Sequence, residues 1–177
     1  MAESEFLKKL ILVDDDPAFH LIAKKNLNKI DIKVPFQSFF TGKELLQYIL
    51  ESKGQSIQVF SNLILLDINM PEMNGWQFLE AFSQLDHEIQ LGYYIIILTS
   101  SISLEERNRG LSYPMVKGYY HKPMNKNGIR GILDDYLAKV QAQILAEALG
   151  SFTISDQNPS IALIASSKDS ISTGLVM

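Results

Sequence analysis

Strand-like segments that each stop on a residue able to do chemistry constrain this chain more than any other feature. Leu10-Ile11-Leu12-Val13 stops at Asp14-Asp15-Asp16, Leu63-Ile64-Leu65-Leu66 at Asp67, Tyr94 to Leu98 at Thr99, and Val116 to His121 at Lys122-Pro123. A continuous apolar run of this length reads as a strand buried on both faces. Helical spacing fills the intervals: Phe19, Ile22, Ala23, Leu27 and Ile30 after Pro17, then Leu45, Leu46, Ile49 and Leu50 closed by the Ser52 to Ser56 stretch with Gly54, then Trp76, Leu79 and Phe82. Thr41 is placed as an N-cap. A polar helix is expected from about Leu104, and a long one from about Lys126 to Leu149 on the stripe Ile129, Ile132, Leu133, Tyr136, Val140 and Ile144. Val34 to Phe40 reads as a further strand, confined to a sheet edge because Pro35 cannot donate to the ladder. Five strands alternating with five helices predict an α/β, doubly wound parallel sheet covered on both faces.

Composition narrows the class. With 177 residues and 46% hydrophobic content the chain can bury one sizeable core, so one domain plus an extension is expected. No apolar run is long enough for a membrane span, and the polar, acidic stretch from Met1 to Lys9 is unlike a signal peptide, which points to the cytoplasm. The absence of cysteine removes thiol nucleophiles and thiolate metal sites. A net charge of −4 argues against nucleic acid as a main partner.

In an open α/β sheet the ligand site lies beyond the carboxyl ends of the strands. Asp14, Asp15, Asp16, Asp67, Thr99 and Lys122 all fall there, so they should converge on one edge. Carboxylates crowded into a crevice repel one another unless a cation is present or their pKa values rise. Mg²⁺ suits such a set: it takes oxygen ligands and is held by one or two carboxylates plus a phosphate. Phosphoryl transfer to an aspartate follows as the natural chemistry, with Lys122 and the Thr99 hydroxyl on phosphate oxygens. Singly, each residue has a plainer reading, since an acidic run before Pro17 is favoured at a helix start by the macrodipole and strand-end residues are usually solvated. Their joint occurrence on separate strands shifts the balance. His20, His87 and His121 lack a common ligand spacing and read as surface or packing residues, with only His121 near the chemistry; Trp76 reads as packing its helix on the sheet.

Four segments together resemble the receiver domains of bacterial response regulators, the CheY-like modules of two-component signalling: Ile11 to Pro17, Leu65 to Gly75, Leu98 to Ser101 and Gly118 to Pro123. The resemblance spans roughly residues 7–149. It implies a flavodoxin-like strand order of 2-1-3-4-5, Asp67 as phosphoacceptor, and a Mg²⁺ site of Asp14, Asp15, Asp67 and the backbone carbonyl of Asn69. Asp16 is expected outside that site. It further implies that Thr99 and Lys122 hold the phosphoryl oxygens, that Lys122-Pro123 is a cis peptide, and that Tyr119 is the switch residue, turning inward on phosphorylation.

The donor implied is a histidine kinase or a histidine phosphotransfer protein, and the activity is self-phosphorylation, with autophosphatase activity on the aspartyl phosphate, rather than that of an enzyme acting on others. The face made by the Leu104 helix, the Val116 to His121 strand and the last helix should meet a downstream protein target. Residues 150–177 are expected to be a flexible tail without an output domain, making this a stand-alone receiver; Ile161, Leu163 and Ile164 could alternatively add an edge strand to a neighbour. The last helix past Val140 is a candidate for homodimer contact. Two other classes compete. A phosphorylation-independent interaction module would lack an acid or the lysine, and a hydrolytic phosphatase would carry an acid two residues after its nucleophile, where Asn69 stands.

Overall fold

The structure is a computed structural model that describes residues 7–30, 34–52 and 60–155. Its elements run β1 (Lys9–Val13), α1 (Pro17–Leu27), β2 (Phe36–Phe39), α2 (Gly42–Glu51), β3 (Asn62–Asp67), α3 (Gly75–Ser83), α4 (His87–Leu91), β4 (Tyr93–Thr99), α5 (Leu104–Leu111), β5 (Val116–His121) and α6 (Lys126–Ser155). The five strands form one parallel sheet in the order β2-β1-β3-β4-β5, the flavodoxin-like arrangement expected. β2 lies at an edge, and the Pro35 carbonyl accepts from the Leu10 N–H, so the proline closes the ladder as an acceptor without needing to donate.

Alternation along the strands sends side chains to two cores. Leu10, Leu12, Leu63, Leu65, Ile96 and Leu98 pack with Phe19 and Ala23 of α1 and with Ile129, Ile132, Leu133 and Tyr136 of α6. Ile11, Val13, Ile64, Leu66, Ile95 and Ile97 pack with Leu45 and Ile49 of α2 and with Phe78, Leu79 and Phe82 of α3. At about 1.5–3 kcal/mol for each large apolar side chain fully buried, the three central strands dominate the stability of the domain.

Local signals set the helix starts. Pro17 opens α1 behind Asp16, whose carboxylate accepts from the Ala18 N–H at 2.8 Å, and Thr41 caps α2 through the Glu44 N–H. Asp16 therefore carries the helix-capping role of the acidic run. The α1 stripe is narrower than its spacing predicts: Phe19 and Ala23 are buried, Ile22 is half exposed, and Ile30 is buried beyond the helix end. The short α4 has no counterpart in the sequence reading. Of the residues expected to close α2, Ser52 is its C-cap, while positions 53–59 lie outside the described residues.

The chain parts into two units, residues 1–140 and 141–177. In the second, the described part is helical to Ser155, so helix continues through position 150, where the tail was expected to begin; Ile144 and Leu145 are exposed there. Ile161, Leu163 and Ile164 lie outside the described residues. Among the described residues, no helix is long and apolar enough to cross a membrane.

Candidate functional site

The carboxyl edge of the sheet gathers the acids. Asp14 follows β1, Asp67 ends β3, and one oxygen from each of Asp14, Asp15 and Asp67 lies within 4.8 Å of the others. Asp14 and Asp67 are buried and Asp15 is exposed, so the cluster is sunk on one side and open on the other. Lys122, just past β5, sends its ammonium between the two buried acids, 2.6 Å from Asp14 Oδ2 and 3.0 Å from Asp67 Oδ1. The same ammonium lies over the ring of Phe19, 4.8 Å from its centroid. The Lys122-Pro123 peptide is cis, as expected.

These contacts leave the charges only partly compensated. Burial pushes the Asp67 carboxyl above the ordinary carboxylate range, helped by the charge of Asp14, and the hydrogen bond and charge of Lys122 do not fully reverse this. For Lys122, burial acts downward, but hydrogen bonds and charge from Asp14 and Asp67 outweigh it and raise its pKa. One ammonium thus serves two acids in the place where a cation is needed. The donor set is carboxylate oxygen open to solvent on the Asp15 side, which fits a hard divalent ion such as Mg²⁺ and leaves room for water ligands.

Backbone groups fix the carboxylates. The Asn69 N–H donates to Asp67 Oδ2 at 3.1 Å and the Asp16 N–H to Asp14 Oδ1 at 3.1 Å. Asn69 itself is exposed, at the turn that leads into α3. That turn is held by Gly75, whose N–H reaches the Ile68 carbonyl at 2.9 Å. A Cβ on Gly75 would sit 2.6 Å from the Asp67 carbonyl oxygen and 2.8 Å from the Ile68 Cα, so only glycine lets α3 start this close to Asp67.

Thr99 ends β4, the strand next to the one that ends on Asp67, and Tyr119 lies on the adjacent β5. Thr99 is fully buried at the end of β4, and its hydroxyl accepts from the Ser101 N–H at 3.1 Å. Tyr119 is half-buried on the α2 and α3 side, with its hydroxyl buried. Its neighbour Tyr120 packs on the other core and hydrogen-bonds Asp135 of α6.

The histidines are packing and surface residues as expected, with one correction about which of them lies near the acids. His121 is exposed, but His20 is buried, and its Nε2–H donates to the Asp14 backbone carbonyl at 2.7 Å. Its ring lies 4.6 Å from that of Phe40. His121 is therefore not the sole histidine near the chemistry. Trp76 is half-buried on its core, with the Tyr113 ring stacked at 6.5 Å and the Arg109 guanidinium over it at 4.2 Å.

Comparisons with known proteins agree with this geometry. The family model described as the response regulator receiver domain matches residues 10–134. Hybrid signal transduction histidine kinase L of Dictyostelium discoideum is 27% identical over 133 residues, which are 75% of this chain and 7% of that protein. Among solved structures, a two component response regulator from Cytophaga hutchinsonii has the same fold, with a TM-score of 0.66 at 21% identity, covering 75% of this chain and 98% of the other. The bacteriophytochrome response regulator RtBRR gives a TM-score of 0.58 at 25% identity over 73% of this chain and 78% of its own. With the acids, the lysine and the strand order in place and most of its length matched, the chain belongs to the response regulator receiver domain family.

Proposed function

We propose that this receiver is switched by Mg²⁺-dependent transfer of a phosphoryl group from a phosphohistidine onto Asp67, within two-component phosphorelay signalling in the cytoplasm. The observation that carries the reading is the Lys122 ammonium set between Asp14 and Asp67 beside the exposed Asp15, an arrangement that holds a nucleophilic carboxylate next to a cation. Asp14, Asp15, Asp67 and the Asn69 carbonyl would hold Mg²⁺, which when bound offsets charge on the transferring group.

An Asp67 oxygen attacks phosphorus, the P–O bond forms as the P–N bond breaks, and the electron pair stays on the leaving imidazole, which takes up a proton. Asp67 Oδ2, tied to the Asn69 N–H, orients the carboxylate for that attack. Lys122 then exchanges its carboxylate partner for a phosphoryl oxygen, and the Thr99 hydroxyl turns from the Ser101 N–H to another. Tyr119, paired on β5 with Ile97 two residues before Thr99, follows that turn and reshapes the face of α5, β5 and α6 for a downstream protein. Attack by water on the acyl phosphate resets the switch, making autophosphatase activity the reverse arm.

A histidine kinase or a histidine phosphotransfer protein is the donor. Incubation with a labelled histidine phosphotransfer protein and Mg²⁺ tests the assignment. Label should move to the wild-type chain and not to Asp67→Asn, and label retained by Asp67→Asn would sink it.

A further inference from the structure

Two buried polar atoms near Tyr119 have no hydrogen-bond partner: the Tyr119 hydroxyl and Oε2 of Glu106. One is a natural donor and the other, on a carboxylate, accepts only. The packing brings their elements together. Gly110 of α5 lies against the Tyr119 ring, since a Cβ there would be 3.4 Å from Cδ2 and 3.6 Å from Cε2. Glu106 is one helical turn before Gly110 and therefore on the same face. The ring lies along that face, and the Glu106 charge is close enough to act on the hydroxyl.

We propose that Glu106 is a positioning residue for Tyr119: its carboxylate receives the Tyr119 hydroxyl, holds the ring inward against α5, and so makes the first turn of α5 follow the tyrosine. The consequence for signalling rests on the reading of Tyr119 as the switch. Thr99 is the competing partner, close enough to the same hydroxyl to act on it though not hydrogen-bonded to it. While Thr99 accepts from Ser101, its own hydroxyl stays free to meet that of the tyrosine, which can pass between Thr99 and Glu106. Once Thr99 turns toward a phosphoryl group, Glu106 is the acceptor that remains. Because the Glu106 N–H is itself held by the Ser103 N-cap hydroxyl, a pull on its side chain acts on the start of the helix.

The full chain, unphosphorylated and labelled with ring-¹³C tyrosine, supplies the test by NMR. Burial and the Glu106 charge both raise the Tyr119 phenol, while Thr99 and Arg107 oppose them and the His121 ring sits edge-on at 6.3 Å; Thr99, Arg107 and His121 are the same in every variant. Glu106→Gln keeps an oxygen acceptor and removes the charge, so the Tyr119 titration should move down while its ring resonances stay in place. Glu106→Ala should move the ring resonances toward those of an exposed tyrosine. A Tyr119 titration unmoved in Glu106→Gln, or ring resonances unmoved in Glu106→Ala, would overturn the contact. If the alanine variant does not fold, the Glu106→Gln titration decides alone. Mass gain from acetyl phosphate, measured in parallel, reports separately on Asp67: its loss in the wild type would overturn the phosphorylation reading without touching the titration result.

Discussion

The two ends of the same parallel strands are built on opposite principles. At the amino ends neutral polar groups are paired: Asn62 reaches the Gly92 carbonyl through both its backbone and side-chain N–H, Phe60 N–H donates to the Leu91 carbonyl, and the Tyr136 hydroxyl donates to the Phe60 carbonyl. That last group holds Phe60 at a left-handed φ of 52°, with its ring edge-on to Tyr94. At the carboxyl ends two buried acids share one ammonium, and Asp67 is held above the usual carboxylate range. One end closes the fold and the other keeps charge in want of a partner. Uncompensated charge lowers stability and leaves a site ready for an ion or a phosphate, the trade expected where function is placed.

Substitutions at each end sharpen that contrast. The largest effect is expected from Gly75→Ala, because the new Cβ meets backbone of Asp67 and Ile68 and cannot be relieved by a side-chain turn. A loss of about 3 kcal/mol in urea unfolding is expected, with phosphorylation impaired as Asp67 shifts. Lys122→Met should also destabilise the fold without Mg²⁺, since it leaves Asp14 and Asp67 buried without their cation. Added Mg²⁺ should recover part of that loss, and a variant as stable as the wild type in EDTA would break the comparison.

Tyr136→Phe, at the amino ends, should cost about 1 kcal/mol through the lost bond to the Phe60 carbonyl and leave phosphorylation unchanged. The smallest effect has the opposite sign. Because the folded-state pKa of Asp67 is raised, its ionisation weakens the fold above that pKa, and the weakening is removed as pH falls through it. Without Mg²⁺, Asp67→Asn should therefore melt slightly higher than the wild type at neutral pH, and the gain should vanish on acidification. A variant less stable than the wild type at neutral pH would contradict this.

How far the sequence spoke depended on the length scale of the signal. β1, β3 and β4 were legible because continuous burial leaves a continuous apolar run, and the acids, threonine and lysine were legible because each sits where such a run stops. Pro35 marked the edge position of β2 for a reason that depends on the backbone alone. α4 left no trace: five residues with one buried side chain and no side-chain cap are too few for periodicity. The exposure of Ile22 was hidden for a related reason, since the width of a buried stripe depends on what packs against it. His20 packs as expected, but its nearness to the acids was hidden because a side-chain bond to a backbone carbonyl has no sequence signature. Glu106 was masked by the polarity of its helix, where nothing in the pattern distinguishes a carboxylate turned inward from its solvated neighbours.

The central claim is that the charge left uncompensated at the carboxyl edge is there to receive a phosphoryl group. Intact-mass spectrometry after incubation with acetyl phosphate, with and without Mg²⁺, tests it most directly. The account predicts a Mg²⁺-dependent gain of one phosphoryl group in the wild type and none in Asp67→Asn. No gain in the wild type, or a gain that survives in Asp67→Asn, would contradict it.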